Sequence, residues 1–234
     1  MHPSNIVAII PARGGSKGIP KKNLLPVDGQ PLIRWSINKA KGCDALNGNI
    51  YVTSDDQEIL DAAKEFGATP ILRPHEISGD KATSESALLH ALEEIESQKG
   101  QVDAIVFLQP TSPLRESKDI ENALDKFQNE KLDSLFSASK LEDFFIWTES
   151  NNTLTSLNYD YKNRKRRQDV PSQYVENGSF YIVKPEILKS ENNRLGGKIG
   201  LFLMDPWKIT EIDSLEDKVL CEFYIKIKNL KIDE

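Results

Sequence analysis

The stretch IVAIIPARGGSKGIPKKN, residues 6–23, decides the fold of this chain. Its first part, Ile6–Pro11, is apolar and has the length of a buried strand, and the loop that follows combines glycines, a serine and several cations. Because open α/β sheets bind ligands at the carboxyl ends of their strands, a polar loop in this position predicts an anion site. The spacing fits neither the Walker A loop nor the dinucleotide-binding glycine motif, which disfavours an NAD-dependent enzyme.

Each residue type in this loop suits a phosphate ligand. Glycine lets backbone N–H groups approach phosphate oxygens, arginine and lysine neutralise charge, and serine donates a hydrogen bond. A glycine-rich turn with solvated lysines is the alternative interpretation. The residues that we predict to bind a nucleotide phosphate here are Ala12, Arg13, Gly14, Gly15, Ser16, Lys17, Lys22 and Asn23.

Outward from this loop, short apolar runs alternate with amphipathic helical patterns. The predicted strands are Ile6–Pro11, Asn49–Thr53, Thr69–Leu72, Ala104–Gln109, Ser134–Ala138, Ser179–Val183, Ile199–Met204 and Lys208–Ile212. The predicted helical faces are Ile33/Ile37/Ala40, Ile59/Ala63/Phe66, Leu88/Leu92/Ile95, Ile120/Leu124/Phe127 and Val219/Phe223/Ile227. This alternation indicates a single α/β domain, residues 1–234, with a mainly parallel sheet covered on both faces. The polar stretch 141–175 breaks the pattern and is interpreted as an inserted arm.

Composition excludes several classes of function. Lys and Arg number 30 and Asp and Glu 36, so the net charge of −6 disfavours a general nucleic-acid binder. Only Cys43 and Cys221 are present, and we interpret them as reduced thiols of a cytoplasmic protein. No apolar run approaches the roughly 20 residues needed to cross a bilayer, and the N-terminus lacks a signal-peptide pattern. We therefore expect neither nucleic acid nor membrane as a partner.

A second polar loop follows the predicted strand that ends at Gln109. In FLQPTSPLR, residues 107–115, two prolines fix the backbone and hold the hydroxyl groups between them in place. We predict a rigid wall on which Gln109, Thr111 and Ser112 face a polyol, with Arg115 meeting a phosphate or a carboxylate. An ordinary strand-to-helix loop is the alternative.

Two further patterns concern charge. The basic run 162–167 could be a solvated loop, an anion-binding arm or a targeting patch. Near the C-terminus, Glu211 and Asp213 lie two residues apart on a predicted strand and therefore on one face of it. Two carboxylates suit Mg²⁺, which usually takes one or two of them together with substrate phosphates. The alternative for Asp213 is that it caps the following helix with Ser214.

The N-terminal stretch resembles the signature of the acylneuraminate cytidylyltransferases, also called CMP-sialic acid synthetases. Kdo cytidylyltransferases carry a similar loop, but SKGIPKKNL, residues 16–24, sides with the acylneuraminate branch. The resemblance continues in LRPHEI (72–77), ATS (82–84), LQPTSPLR (108–115), RRQDVP (166–171) and ENGSFYI (176–182). It covers the chain from about residue 6 to residue 230. In that family both carboxylate positions near residue 211 are Asp, so Glu211 departs from the pattern.

The resemblance implies a three-layer α/β/α, Rossmann-like nucleotidyltransferase fold of the GT-A-like kind, in a homodimer that exchanges its arms. It implies attack by the anomeric hydroxyl of a nine-carbon 2-keto sugar acid (sialic, legionaminic or pseudaminic acid) on the α-phosphorus of CTP, with Mg²⁺ and release of pyrophosphate. Arg13, Lys17 and Lys22 would stabilise the pyrophosphate, and Asp213, with Glu211, would hold the metal. The nucleotide contacts would include Arg73, Ala82 and Ser84, although Ser84 also suits a helix N-cap. The sugar contacts would be Gln109, Thr111, Ser112, Arg115, Arg167 and Gln168.

Two alternatives remain open at this point. One is another sugar-acid nucleotidyltransferase of the Kdo type, against which the run from Lys21 to Asn23 argues. The other is a non-catalytic nucleotide-binding relative. The presence of Arg13, Lys22 and Asp213 argues against loss of activity.

Overall fold

The structure is a computed structural model, and it describes residues 5–16, 18–46, 48–79, 81–141 and 144–231, with only the backbone of Arg167. The strands in these ranges are β1 (Ile6–Pro11), β2 (Pro26–Val27), β3 (Gln30–Pro31), β4 (Ile50–Ser54), β5 (Thr69–Leu72), β6 (Ala104–Leu108), β7 (Ser134–Leu141), β8 (Trp147–Ser150), β9 (Thr153–Ser156), β10 (Gln173–Val183) and β11 (Ile199–Leu203). The α-helices are α1 (Leu32–Lys41), α2 (Gln57–Glu65), α3 (Ser84–Lys99), α4 (Ser117–Asn129), α5 (Pro185–Glu191) and α6 (Leu215–Lys228).

A seven-stranded sheet in the order β11-β7-β10-β6-β1-β4-β5 forms the centre of the molecule. The strand β10 pairs antiparallel with β6 and β7, whereas the other strand pairs of the described sheet are parallel. The carboxyl ends of β1, β4, β5 and β6 therefore meet at one edge, which is where ligands bind in sheets of this kind.

Helices cover both faces of the sheet, as the sequence predicts. On one face α1, α2 and α4 bury Ile37, Ile59 and Leu124 against Ala8 and Ile10 of β1. On the other face α3 and α5 pack against the alternate residues of the same strand, such as Val7 and Ile9. The prediction of a three-layer α/β/α domain with a mainly parallel sheet is confirmed. Within the described residues, no helix combines the length and the apolarity that a bilayer crossing requires.

Strand positions agree well with the predicted ones, with one error. The predicted strand Lys208–Ile212 is wrong, because this segment contains a 3-10 helix, Pro206–Ile209, and lies outside the sheet. Lys208 is buried and bonded to Asp119 at 2.7 Å, while Ile212 packs into a third apolar cluster with α1 and α6. The alternating pattern therefore arises because side chains on both sides of this segment pack against other parts of the protein, and not because the segment pairs with a strand.

The predicted core face of α6 is also wrong. Val219, Phe223 and Ile227 are more than half exposed, and the helix instead buries Cys221 and Ile225. Its start is as predicted, with Ser214 and Asp217 forming a capping box. The apolar residues at four-residue spacing therefore form a solvent-facing stripe on the side opposite the core.

The arm contains regular structure that the sequence analysis did not find. Strands β8 and β9 form an antiparallel hairpin, closed by Asn151 and Asn152, both at positive φ as such tight turns require. Beside it, the ring of Tyr159 lies 4.5 Å from that of Phe145 and 5.8 Å from that of Trp147. This small aromatic cluster holds the arm together outside the main core.

Candidate active site

The first loop packs tightly against the carboxyl end of β4. The N–H of Ala12 donates to the carbonyl of Thr53 at 2.9 Å, and the N–H of Gly14 donates to Oδ1 of Asp55 at 3.0 Å. A Cβ on residue 14 would lie 2.6 Å from Oδ2 of Asp56, so only glycine fits there. The N–H of Gly14 thus donates to the carboxylate of Asp55, whereas the sequence predicted that it would donate to a phosphate.

Further along the loop, Gly15 is exposed and Ser16 is half-buried. A Cβ on residue 15 would meet no atom within 4 Å, so the loop is open to solvent at this point. These two residues therefore remain accessible to a ligand. The predicted cation Lys17 lies outside the described residues.

The second half of the loop closes onto a distant segment of the chain. The ammonium of Lys22 pairs with Oδ1 of Asp213 at 2.8 Å, and the amide of the buried Asn23 donates to the carbonyl of Arg13 at 2.9 Å. A Cβ on Gly18 would lie 2.7 Å from the carbonyl oxygen of Asp213. The structure therefore brings Arg13, Lys22, Asn23 and Asp213 together. The side chain of Asp213 does not cap α6, because it turns toward Lys22.

Arg73 follows β5 at the same edge of the sheet. It is 6% exposed, and its Nε and Nη2 atoms are buried without a hydrogen-bond partner in the described structure. The carboxylate of Asp55 lies close to it, with 3.8 Å between Nη2 and Oδ1. Burial lowers the pKa of Arg73, while the charge of Asp55 opposes that shift and the charge of Arg13 adds to it. Buried, unsatisfied donors are costly, so this arginine is ready to bind a polar ligand.

Ala82 and Ser84 follow Arg73 in the sequence and lie at the amino end of α3. Both are half-buried. The helix is capped by Thr83, whose hydroxyl accepts the N–H of Ser86 at 3.2 Å. The alternative role of Ser84 as the N-cap is therefore wrong, because the helix begins one residue earlier than that role requires.

The loop after β6 forms a wall, which we define as residues 109–115. The side-chain amide of Gln109 donates to the carbonyl of Gly178, and the hydroxyl of Thr111 donates to Oε2 of Glu211 at 3.0 Å. Ser112 is 1% exposed, so its side chain is buried and not on the surface that was predicted to face a polyol. Gln109 and Thr111 are half-buried. The wall therefore presents Gln109 and Thr111 at its surface and keeps Ser112 inside.

Arg115 differs most from its predicted place. It is 1% exposed, and its guanidinium donates to the carbonyls of Gln109 and Ser112 and to the hydroxyl of Ser36. Burial lowers its pKa to about 9, against the opposing charges of Glu211 and Asp119. A guanidinium bonded to the carbonyls of its own loop holds the wall in shape from behind. Its Nε and Nη1 atoms are buried without a hydrogen-bond partner among the described residues, so the predicted contact between Arg115 and a phosphate or carboxylate stays a prediction beside this supporting role.

Glu211 lies between the wall and β10. Burial raises the pKa of this carboxyl, and the neighbouring charge of Asp213 adds to the rise, whereas Thr111, Arg115 and Lys22 oppose it. Gly178, at φ +65°, lies directly against it, and a Cβ there would overlap Oε1 of Glu211. The carboxylates of Glu211 and Asp213 thus share one electrostatic environment with Lys22, although the segment that carries them is not a strand.

These carboxylates are compatible with a divalent cation. Within the described residues, no group of three or more His, Cys, Asp or Glu side chains is placed to bind a metal. The available oxygen donors are Asp213, which is largely exposed, and the half-buried Glu211. Mg²⁺ commonly binds through one or two carboxylates and completes its shell with water and substrate phosphates, so this donor set fits.

The arm residues predicted to bind the sugar lie in an exposed part of the molecule. Gln168 is exposed within the short 3-10 helix Arg167–Asp169, and the predicted contact through the side chain of Arg167 lies outside the described residues. In the preceding basic run, Arg164 stacks over Phe145 at 4.0 Å and Arg166 pairs with Asp169 at 2.7 Å. The contacts that the structure gives for the side chains of residues 162–166 are local to the arm.

Sequence reasoning missed a polar cavity of about 440 Å³ on the α3 face of the sheet. Arg194 bonds Glu85 at 2.7 Å and lies 4.9 Å from the ring of Tyr181, whose hydroxyl donates to Glu176 at 2.8 Å. Burial and Glu176 raise the pKa of Tyr181. Asp55 was missed as well. Glu176 and Tyr181 lie in the motif ENGSFYI, residues 176–182. No local pattern marks Glu85, Arg194 or Asp55, because three-dimensional packing brings these residues into place.

Comparisons with known proteins identify the family of this chain. A family model described as Cytidylyltransferase matches residues 7–232. The pseudaminic acid cytidylyltransferase of Campylobacter jejuni subsp. jejuni serotype O:23/36 (strain 81-176) is 31% identical over 232 residues, covering 95% of this chain and 97% of that protein. The N-acylneuraminate cytidylyltransferase A of Danio rerio is 35% identical over 213 residues, covering 89% of this chain. The match spans 48% of the fish protein, about half of its length.

Solved structures share the fold at low sequence identity. A CMP:2-keto-3-deoxy-manno-octonic acid synthetase complexed with CTP aligns with a TM-score of 0.71 and 17% identity, covering 96% of this chain and all of that one. A 4-diphosphocytidyl-2C-methyl-D-erythritol synthase aligns with a TM-score of 0.69 and 9% identity, covering 95% and 99%. These likenesses show a nucleotidyltransferase fold, as predicted.

Proposed function

Because this chain belongs to the cytidylyltransferase family, we propose that it transfers CMP from CTP to a nine-carbon 2-keto sugar acid. The anomeric oxygen of the acid attacks the α-phosphorus, the bond from that phosphorus to the bridging oxygen breaks, and pyrophosphate leaves. The relatives of similar length support this acceptor class, since one is a pseudaminic acid cytidylyltransferase of nearly equal length. Sialic, legionaminic and pseudaminic acids are the acceptors that we propose to test.

One observation carries the proposal, namely the meeting of the first loop with the segment around Asp213. Lys22 and Asp213 are 191 residues apart in sequence and 2.8 Å apart in space. Next to them are Arg13 and Asn23, and Arg73 keeps unsatisfied donors at the same sheet edge. Cations, a carboxylate and an unsatisfied arginine at the carboxyl ends of parallel strands suit a nucleoside triphosphate.

We assign roles within this arrangement as part of the proposal. Arg13, Lys17 and Lys22 stabilise the negative charge that builds up on the departing pyrophosphate. Arg73, with Ala82 and Ser84, binds the pyrimidine base and its ribose. The exposed Gly15 and the half-buried Ser16 bind phosphate oxygens. Gln109 and Thr111 face the sugar acid, and Gln168 and Arg167 of the arm add contacts to its carboxylate. Such chemistry depends mainly on positioning and charge stabilisation.

Family members commonly use a divalent metal, and we propose that Asp213, supported by Glu211, holds Mg²⁺ in this protein. When bound, Mg²⁺ offsets the charge of the phosphates. Lys22 would then exchange its ion pair with Asp213 for a phosphate contact. Glu211 keeps its hydrogen bond from Thr111 and so holds the wall beside the metal position.

We propose further that the protein is a cytoplasmic homodimer joined through its arms. Phe144, Leu154 and Leu157 are each more than 60% exposed, and all three lie within residues 144–157. Large exposed apolar patches mark interaction surfaces, and we propose that these side chains contribute to one such patch. A second copy that buries them would also bring its arm toward the partner's site, as the resemblance implies.

Pyrophosphate release tests the proposed function. Purified protein with Mg²⁺ is assayed with CTP, UTP, ATP and GTP, each against N-acetylneuraminic, legionaminic and pseudaminic acids and Kdo. We expect release with CTP and a nine-carbon acid only. Release with Kdo alone would contradict the proposed acceptor, and release with another nucleotide alone would contradict the base assignment.

Variants test the site itself. Arg13→Ala and Asp213→Ala should each lower kcat/KM by on the order of 100-fold or more, the loss seen when a single charge-stabilising group is removed. Lys118→Ala, on the exposed side of α4, is the matched control and should behave as wild type. Near-normal turnover in both site variants would refute the site model, even if the protein proves to be a cytidylyltransferase.

A further inference from the structure

Asp55 makes two contacts that the proposed reaction does not use. We propose that Asp55 is a positioning residue, which couples the first loop to Arg73 and thereby sets the phosphate end and the base end of the nucleotide site in one geometry. This inference rests on the proposed function, because it concerns the same nucleotide site. Nothing in the sequence motifs points to Asp55, since it lies between two of them.

The geometry places the Asp55 carboxylate at the junction of three sheet-edge segments. Asp55 follows β4 directly, and its side chain is 16% exposed. Its Oδ1 atom accepts the N–H of Gly14 at 3.0 Å and lies 3.8 Å from Nη2 of Arg73. The same segment accepts two backbone bonds, from Ala12 to the carbonyl of Thr53 and from Arg73 to that of Ser54. Asp55 thus adds a side-chain link across a junction that the backbone already forms.

The carboxylate of Asp55 offsets the positive charge around Arg73. Arg73 is buried and lies within the field of Arg13, so two like charges converge on one site before any phosphate arrives. Asp55 opposes both burial and Arg13 in their effect on the pKa of Arg73. A buried cation without a counter-charge is strongly disfavoured, so the carboxylate of Asp55 stabilises the guanidinium of Arg73 in its buried position.

The contacts of Asp55 can be separated by substitution. Asp55→Asn keeps an oxygen that can accept the N–H of Gly14 but removes the charge next to Arg73. Asp55→Ala removes the acceptor and the charge together. Asp61→Asn is the matched control, because Asp61 is an exposed carboxylate on the next helix that accepts a local bond from Gln57, at 2.8 Å.

The experiment measures the Kd for CTP by calorimetry together with kcat and KM for CTP and UTP. We expect Asp55→Asn to weaken CTP binding by about tenfold, the worth of one charge-assisted contact, with kcat changed by less than about twofold. We expect a reduced preference for CTP over UTP as well. Asp55→Ala should weaken binding further and should also lower kcat, because the first loop loses its anchor. Asp61→Asn should match the wild type in all of these quantities.

A double-mutant cycle separates coupling from a general loss of structure. If Asp55 acts through Arg73, the effect of Asp55→Asn on the Kd for CTP disappears in an Arg73→Gln background. Additive effects, or an unchanged Kd in Asp55→Asn, would overturn the inference, and this readout holds even if Asp55→Ala fails to fold.

The outcomes for the wild type keep the two proposals apart. Tight CTP binding without turnover with any acceptor would refute the proposed transfer reaction, while the cycle on Kd would still decide the role of Asp55. Turnover in the wild type together with normal binding in Asp55→Asn would refute the positioning role and leave the reaction intact. Absence of CTP binding in the wild type would refute both.

Discussion

The wall and the arm both lie beside the main sheet, yet they are held together in opposite ways. In the wall, Pro110, Leu114 and Arg115 are buried, and the guanidinium of Arg115 satisfies carbonyls of the same loop. In the arm, Phe144 and Leu157 are exposed, and a small aromatic cluster supplies its packing. The wall is therefore packed within one chain, although Oγ of Ser112 and the Nε and Nη1 atoms of Arg115 have no hydrogen-bond partner among the described residues. The arm instead exposes apolar side chains to solvent.

The strongest test of this contrast removes the arginine from each region. Arg115→Ala leaves two carbonyls and the hydroxyl of Ser36 without their donor and opens a cavity, so the free energy of unfolding should fall by about 4 kcal/mol. Arg164→Ala removes only the stacking on Phe145 and should cost about 0.5–1 kcal/mol. Urea unfolding of both variants measures the difference. Equal losses would show that the wall does not depend on its buried cation.

The next test concerns the glycine beneath the wall. Gly178→Ala forces a side chain into positive φ and against Glu211, so we expect a loss of about 3 kcal/mol and a strong fall in kcat/KM. The control is Gly29→Ala, at φ +76°, where a Cβ meets no atom within 4 Å and the strain alone costs about 1–2 kcal/mol. Thermal unfolding and turnover of both variants give the comparison. If the two variants behave alike, close approach to Glu211 has no role.

A test of intermediate size addresses the arm. Phe144→Ser and Leu157→Ser should leave the stability of a monomer nearly unchanged but raise the dimer dissociation constant by about tenfold each. Sedimentation over a range of micromolar concentrations measures this. Val219→Ser on the exposed stripe of α6 is the control for a different surface. A larger effect of Val219→Ser would assign the interface to α6, and a wild type that stays monomeric would contradict the arm dimer.

The smallest expected effect is a dependence on pH. Burial raises the folded-state pKa of Glu211 above its usual 4.5, while the hydrogen bond from Thr111 lowers it. The folded state therefore holds the proton to a higher pH than the unfolded chain, so the contribution of Glu211 to stability falls as pH rises above about 4.5.

Thr111→Val removes the lowering contact and should extend that fall to higher pH, by about 1 kcal/mol in total. Urea midpoints measured between pH 4.5 and 8 give the slope. Thr155→Val, in the exposed hairpin of the arm, is the matched control and should follow the wild-type pH profile. A steeper profile in that variant would show that the effect does not come from Glu211.

Much of the fold could be predicted from local pattern. The limits of β1 and β5 agree with the predicted strands, and the core faces of α1, α3 and α4 contain the predicted residues. The predictions for these elements are correct because each element buries one face, and that face sets the spacing of its apolar residues. The prediction failed for α6, whose regularly spaced apolar residues lie on the surface. It also failed for Lys208–Ile212, whose side chains pack on two sides of the segment instead of forming one core face.

The candidate site could be predicted only in part. Four predicted residues converge as expected, because each follows a strand or a loop at the ligand-binding edge of the sheet. They are Arg13, Lys22, Asn23 and Asp213. Arg115 has the same residue type and motif position as a ligand-binding arginine, yet it faces inward. Its direction depends on the carbonyls that surround it, which local sequence does not specify.

The sequence by itself determined the alternation of strands and helices, the position of the polar loops after strands, and the residue types that suit a nucleotide. The tertiary structure decided which of these residues meet. It paired Lys22 with Asp213, placed Glu211 against Gly178, turned Arg115 behind the wall and put Asp55 between Gly14 and Arg73. The physical reason is that periodicity reports on burial within one element, whereas these contacts join residues from separate elements and depend on how those elements pack.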